Sequence, residues 1–362
     1  MWAARTGYNS LGKAIALLTA LRLSGMVQPA LANDTPTHNP TAMKTTQMAK
    51  EDFRGWRNTY RLMNGLVEAR IVTDIGPRIM DFHATGGSNL LYVRDAEAGG
   101  ADESQWVQRG GWRLWIAPER SETTYAPDNA ACETQIVNET TLRVIGPPQP
   151  TAGIQKIVDV TLRPGEPRLQ VVGHIKNISD HDLTYAAWSL PVLRPGGRAF
   201  VPFDVGSLTA FDAIRRLSLW SYTKIDDPRY HFGDRLIRID QSKVQPAPPG
   251  QSGRRDDESK IGVDSAQGWA AYLLDGTLFL KRFPHDPRGQ YPDGGATIEV
   301  YSSHEFLELE DLGPLTTIKP GGELMLPEDW WLFAAGEIPA DDSGALRVLN
   351  GFVERTHAMG PP

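Results

Sequence analysis

The chain has 362 residues, of which 40% are hydrophobic and 22% charged, the balance of an ordinary soluble globular protein. A net charge of −7 excludes the basic footprint of a nucleic-acid binder. The single cysteine, Cys132, excludes a disulfide framework and a multi-cysteine metal site, while 35 Gly and 27 Pro indicate a turn-rich chain rather than a disordered one.

Residues 1–32 read as an export signal. Arg5 and Lys13 supply positive charge, residues 14–27 are largely apolar, and Ala30-Leu31-Ala32 is a small-x-small cleavage site. Arg22, Ser24 and Gln28 interrupt the apolar run too early for a membrane anchor, which needs about 20 apolar residues. Cleavage after Ala32 is therefore expected, with the protein periplasmic or secreted and no membrane contact afterwards. In such a compartment a lone Cys132 is expected to be buried, because exposed thiols oxidise.

Residues 33–51, rich in Thr, Pro, Asn, Gln and Lys with no apolar period, read as a flexible linker. Residues 52–356 read as one domain of short strands. Val67, Ala69 and Ile71 alternate with Glu68, Arg70 and Val72, and the turn Asp74-Ile75-Gly76-Pro77 precedes an extended run over 78–82. Segments 133–145, 155–162 and 168–178 continue the pattern, the last with Leu169, Val171, Gly173 and Ile175 on one face. Further strands are expected over 269–274, 277–283, 296–302, 305–312 and 323–333, with Asp275-Gly276 as a hairpin turn between the first two. Only 207–219 and 343–354 have helix-like spacing, and 241–260 reads as a long polar loop. Antiparallel strands with few short helices predict an all-β sandwich of large sheets.

Three segments together resemble the galactose-mutarotase-like superfamily. The first runs from Asn64 through Asp74-Ile75-Gly76-Pro77 to Ile79 and is similar to the family's opening hairpin. The second, Arg109-Gly-Gly-Trp-Arg-Leu-Trp-Ile-Ala-Pro-Glu119, is similar to an Arg-Gly-Gly-x-Pro segment of its hexose-phosphate branch. The third, Phe306-Leu-Glu-Leu-Glu310 followed by Lys319-Pro-Gly-Gly-Glu-Leu, resembles the family's Leu-Glu-x-Gln strand and later Pro-Gly-Glu turn. Tyr125-x-Pro-Asp-Asn129 and Leu312-Gly-Pro-Leu315 also match a bacterial branch of that superfamily. The resemblance implies a β-supersandwich acting on a small-molecule carbohydrate.

Exchanging the anomers of a sugar needs a base on the anomeric hydroxyl and an acid at the ring oxygen. The resemblance carries the base to Glu308. Strand alternation puts Phe306, Glu308 and Glu310 on one face, so two neighbouring carboxyls, Glu308 and Glu310, form the expected acid/base pair; a solvated strand face is the alternative. The family's acid histidine falls on Trp188, whose indole N–H donates a hydrogen bond but no proton near neutral pH. His174, His231, His285 and His304 are possible substitutes.

Arg109, Arg113 and Glu119 flank the Gly-Gly-Trp turn and are candidate binders, unless Arg113 simply pairs with Glu119. Asp128 and Asn129 beside Tyr125 either bind ligand or cap their own turn. Trp188, His174 and Lys281 complete the candidate binders, with Lys260 and Arg282 beside Lys281. Ten tryptophans, Trp106, Trp115 and Trp220 among them, suit a cleft that packs sugar faces. No cofactor is expected, and no metal, since Asp293 lacks a second ligand at metal spacing. An aldose 1-epimerase-like isomerase is the leading expectation; a non-catalytic sugar-binding module and a glycoside hydrolase or lyase are the alternatives.

Overall fold

Period-two patterning yields twenty-one strands and one α-helix among the described residues of the computed structural model, which are 45–204, 206, 211, 213–244 and 257–357. The expected export signal lies outside them, as do 33–44 of the expected linker, 207–210 and 212 of the helix-like stretch, and 245–256 of the polar loop.

The first ten strands are β1 (Gln47–Phe53), β2 (Trp56–Met63), β3 (Val67–Val72), β4 (Arg78–Ala84), β5 (Trp112–Ala117), β6 (Glu133–Asn138), β7 (Thr141–Gln149), β8 (Ile154–Leu162), β9 (Arg168–Asn177) and β10 (Leu183–Leu193). Next come β11 (Arg198–Pro202), β12 (Leu217–Leu219), β13 (Tyr230–Phe232), β14 (Leu236–Asp240), β15 (Ser259–Val263), β16 (Trp269–Leu274) and β17 (Thr277–Arg282). The series ends with β18 (Ile298–Ser302), β19 (Leu307–Leu312), β20 (Thr316–Ile318), β21 (Glu323–Ala334) and the helix α1 (Asp342–His357).

They form two antiparallel sheets. One runs β1-β2-β3-β4-β5-β10-β19-β18-β15-β12, with β20 paired to β10; the other runs β13-β14-β11-β16-β17-β21-β9-β8-β7-β6. Leu114, Ile116, Leu307, Leu309, Ile261 and Val300 of the first sheet share one core with Val171, Ile175, Phe279 and Trp330 of the second. Each such side chain removed from water contributes about 1.5–3 kcal/mol. Ala345 and Leu349 of α1 pack with Phe200, Leu236, Trp331 and Phe333 of the second sheet. On the first sheet, Trp115, Trp188, Leu190 and Leu312 form a separate cluster. The fold is the expected all-β sandwich.

Several boundaries differ from expectation. Residues 47–51 are not linker: they belong to edge strand β1, paired with β2. Gln47, Lys50 and Asp52 among its exposed positions are polar, as suits an edge strand, and so it imitates a linker in composition. Residues 133–145 hold a hairpin, β6 and β7, rather than one run. Leu217–Leu219, expected in a helix, pairs with β15, and the end of the expected polar loop, Ser259 and Lys260, begins β15. The Asp275-Gly276 turn has φ of 50° and 73°, as a type I′ hairpin demands.

Candidate functional site

Cross-strand register assembles the site. Trp188 and Leu190 of β10 lie opposite Trp115 and Arg113 of β5. Glu308 and Glu310 of β19 lie opposite Tyr301 and Glu299 of β18, and Tyr301 lies opposite Lys260 of β15. Paired residues point to the same side of a sheet, and the neighbours that alternate with them (Leu114, Ile261, Val300, Leu307, Leu309) fill the inter-sheet core. These nine side chains therefore share the face turned away from the second sheet. Loop residues, including Arg94, Trp106, Gln108, Glu119, Trp220, Tyr222, Glu258 and Glu305, close the walls of a cavity of about 330 Å³.

Glu308 is 6% exposed and lines this cavity. Its Oε1 accepts hydrogen bonds from Arg113 Nη2 at 3.1 Å and Gln108 Nε2 at 3.0 Å. The Arg113 guanidinium stacks 4.1 Å from the Trp115 ring centre and 5.4 Å from that of Trp106, a cation–π arrangement that fixes it in place. Arg113 thus pairs with Glu308 rather than with Glu119, which instead accepts from Tyr125 Oη at 2.6 Å. Burial, then the bond to Glu119, pushes the Tyr125 hydroxyl above its ordinary value. Phe306 joins Glu308 in the lining, packed between Tyr92 and Tyr301.

Glu310 shares the strand face but not the cavity. It is fully buried, where its Oε2 accepts from Trp188 Nε1 at 2.8 Å and Lys260 Nζ at 3.0 Å. Lys260 also lies 2.7 Å from Glu299, with its ammonium 4.5 Å from the Trp188 ring centre and 4.7 Å from that of Trp220. Burial opposes the charge on Lys260, but Glu310 and Glu299 outweigh it and hold the ammonium above its ordinary value. Burial pushes both carboxyls up, with repulsion from Glu310 adding at Glu299 and repulsion from Glu308 adding at Glu310, while Lys260 opposes both shifts. The expected pair therefore divides: Glu308 faces the cavity, and Glu310 sits in a charge cluster behind it.

The remaining expected binders lie away from the cavity. Arg109 is fully buried and bonded to Asn129 Oδ1 at 2.8 Å and to Glu103. Asn129 Nδ2 in turn holds the carbonyls of Glu103 at 2.9 Å and Gln105 at 2.6 Å. Together they pin the segment that carries Trp106 and Gln108, so they position wall residues without reaching the cavity. Asp128 is buried against Arg78 at 2.9 Å. His174 is on β9 of the other sheet, 3.3 Å from Asp159 and 3.4 Å from Glu323. Lys281 is fully buried and ion-paired to Asp311 and, at 3.0 Å, to Glu328. Arg109, Asp128 and Lys281 each stand against an opposite charge of the protein, which is what burial demands.

His231, His285 and His304 do not line the cavity either; they contact Asp342, Tyr291 and Asp257. Cys132 is half-buried, its Sγ donating to the Ile75 carbonyl at 3.6 Å, and burial pushes its thiol up to about 12. Gln108, Arg94, Tyr222, Glu258, Tyr301 and Glu305 line the cavity without having been singled out. Cross-strand register or loop closure brings them there, and neither is written in the local sequence.

No family model and no curated protein sequence matches the chain. Solved structures do. A putative aldose 1-epimerase from Klebsiella pneumoniae subsp. pneumoniae MGH 78578 is similar with a TM-score of 0.53 at 9% identity, over 85% of this chain and 87% of that one. A galactose mutarotase-like protein from Lactobacillus casei ATCC 334 gives 0.46 at 12% identity, over 76% and 100%. A putative mutarotase from Salmonella typhimurium gives 0.48 at 8%, over 81% and 94%. The chain has the galactose-mutarotase-like fold.

Proposed function

We propose that the cavity binds a sugar, as a monosaccharide or the end of a glycan, and that Glu308 is the base acting on its anomeric hydroxyl. The observation that carries this reading is the Glu308 carboxylate, open to an aromatic-walled cavity and oriented by Arg113 and Gln108. Flat C–H faces of a pyranose pack on rings such as Trp106, Trp115 and Trp188, and its hydroxyls take up the carboxylates between them. As Glu308 takes the anomeric proton and solvent in the open cavity gives a proton to the ring oxygen, the C1–O5 bond breaks; the open form turns about C1–C2 and recloses on the other face with both proton transfers reversed, as in an aldose 1-epimerase.

A second reading, a sugar-binding module without turnover, draws on Trp188. Its N–H is committed to Glu310 at 2.8 Å, and an indole delivers no proton to a ring oxygen. Polarimetry on fresh α-glucose and α-galactose, combined with calorimetric sugar binding, separates the two. Turnover that disappears in Glu308→Gln supports the isomerase; binding with no rate above buffer supports the module; neither binding nor turnover overturns the sugar reading.

We place the protein in the periplasm or outside the cell on the pattern of residues 1–32. N-terminal sequencing of the exported protein is expected to begin at Asn33; a chain that keeps its first residues in the cytoplasm overturns that placement.

A further inference from the structure

Trp220 follows edge strand β12 and is half-buried. Its backbone N–H reaches the Lys260 carbonyl at 3.5 Å. The ring lies across Gly262, where an added Cβ would stand 3.4 Å from Trp220 Cζ3, 3.2 Å from Ser218 Cβ and 2.9 Å from Ala296 Cβ. A side chain at this point would crowd Ala296 and Ser218 first and would meet the indole only at ordinary contact distance, so the glycine keeps the sheet beneath the ring flat. From the inner side the ring is held by the Lys260 ammonium, 4.7 Å from its centre. That ammonium is itself fixed by Glu299 at 2.7 Å and Glu310 at 3.0 Å. A tryptophan seated on glycine and clamped by a charge that cannot swing away is a preorganised surface.

The ring borders two depressions. One is the main cavity. The other, also about 330 Å³ but more open, is lined by Ser218, Leu219, Trp220, Asp293 and Gly294. Its floor is kept low by small residues. The Ser218 hydroxyl is folded onto the Asp293 carbonyl, and Gly294 has φ +79°, with space for a Cβ only 2.7 Å from Ser218 Oγ. Leu219 is 44% exposed at its rim. Volumes of this size sit at the small end of ligand sites, so each depression has room for one ring.

We infer that Trp220 is the platform of a second sugar subsite, so the ligand is the end of a glycan whose first unit fills the main cavity and whose next unit stacks on Trp220. The inference rests on the sugar reading above and narrows it, because a free monosaccharide leaves the outer depression unused. Trp220 borders both depressions, and half-buried Asp293 in the lining of the outer one brings a polar side chain for sugar hydroxyls.

Titration calorimetry on the full chain tests this, with glucose, galactose and their di- and trisaccharides (cellobiose and cellotriose, maltose and maltotriose, β1,4-linked galactobiose and galactotriose). In at least one series the disaccharide is expected to bind about tenfold more tightly than the monosaccharide, the scale of one aromatic contact. In Trp220→Ala that ratio falls to near one, and in Trp220→Phe most of it returns, with an unchanged melting temperature in Trp220→Phe reporting an intact fold. Monosaccharides that bind as tightly as their oligomers overturn the second subsite and leave the sugar reading standing. No binding in any series overturns the sugar reading and the subsite with it.

Discussion

The indole N–H of Trp188 donates to Glu310 at 2.8 Å, across the seam between β10 and β19, and seals that carboxyl from the cavity. Trp188→Phe keeps the aromatic wall and removes the donor. Leaving a buried acceptor short of a partner costs about 1–3 kcal/mol. Urea unfolding of the variant is expected to show a loss in that range; an unchanged midpoint would mean the bond contributes nothing.

Lys281 stands between Asp311 and Glu328 in the core, with Ser189 Oγ at 3.2 Å and the Leu309 carbonyl at 3.1 Å completing its shell. Lys281→Met leaves two buried carboxyls facing one another without a counter-charge. Breaking one side of a buried ion cluster costs about 3–5 kcal/mol. Asp311→Asn is expected to cost clearly less, because burial and Glu328 already push the Asp311 carboxyl toward its protonated form. Equal losses in the two variants would refute this ordering.

Lys156, buried 4.0 Å from Asp128, gives a pH signature. Burial pushes its amine down to about 8, with Arg78 and Arg113 adding to the shift and Asp128 opposing it. An unfolded lysine titrates near 10.4. Between these values the unfolded chain holds more protons than the folded one, so the lysine's contribution to stability rises with pH across that window and is lost again on returning below about 8. Measured as the difference between the parent protein and Lys156→Met, stability is expected to climb from pH 8 to pH 10. A flat difference would show that the amine is not depressed.

Part of this arrangement was legible in the sequence. The period of two over 306–310 placed Phe306, Glu308 and Glu310 together, and Asp275-Gly276 announced its hairpin. Residue type alone misled at Arg109, Asp128, Asn129, His174 and Lys281. A polar side chain that serves a buried pair has the same chemistry as one that serves a ligand, and its partner is distant in the chain, as Arg78 is from Asp128 and Lys281 from Asp311. Lys260 stood out beside Lys281, but its setting between Glu299 and Glu310 depends on the register of β15, β18 and β19. The place of Trp220 depends on a lysine 40 positions away, Lys260, for which no local pattern gives warning.

In β19 the leucines at 307 and 309 and the carboxyls at 308 and 310 point in opposite directions. Substitution at 308 can therefore change the lining of the cavity while the interior stays as it is, which gives evolution a free hand on one side. A one-residue insertion or deletion within the strand is another matter, since it would invert the whole set. Acids would be driven between the sheets and greasy side chains turned into the cavity, so this stretch tolerates exchange but forbids slippage.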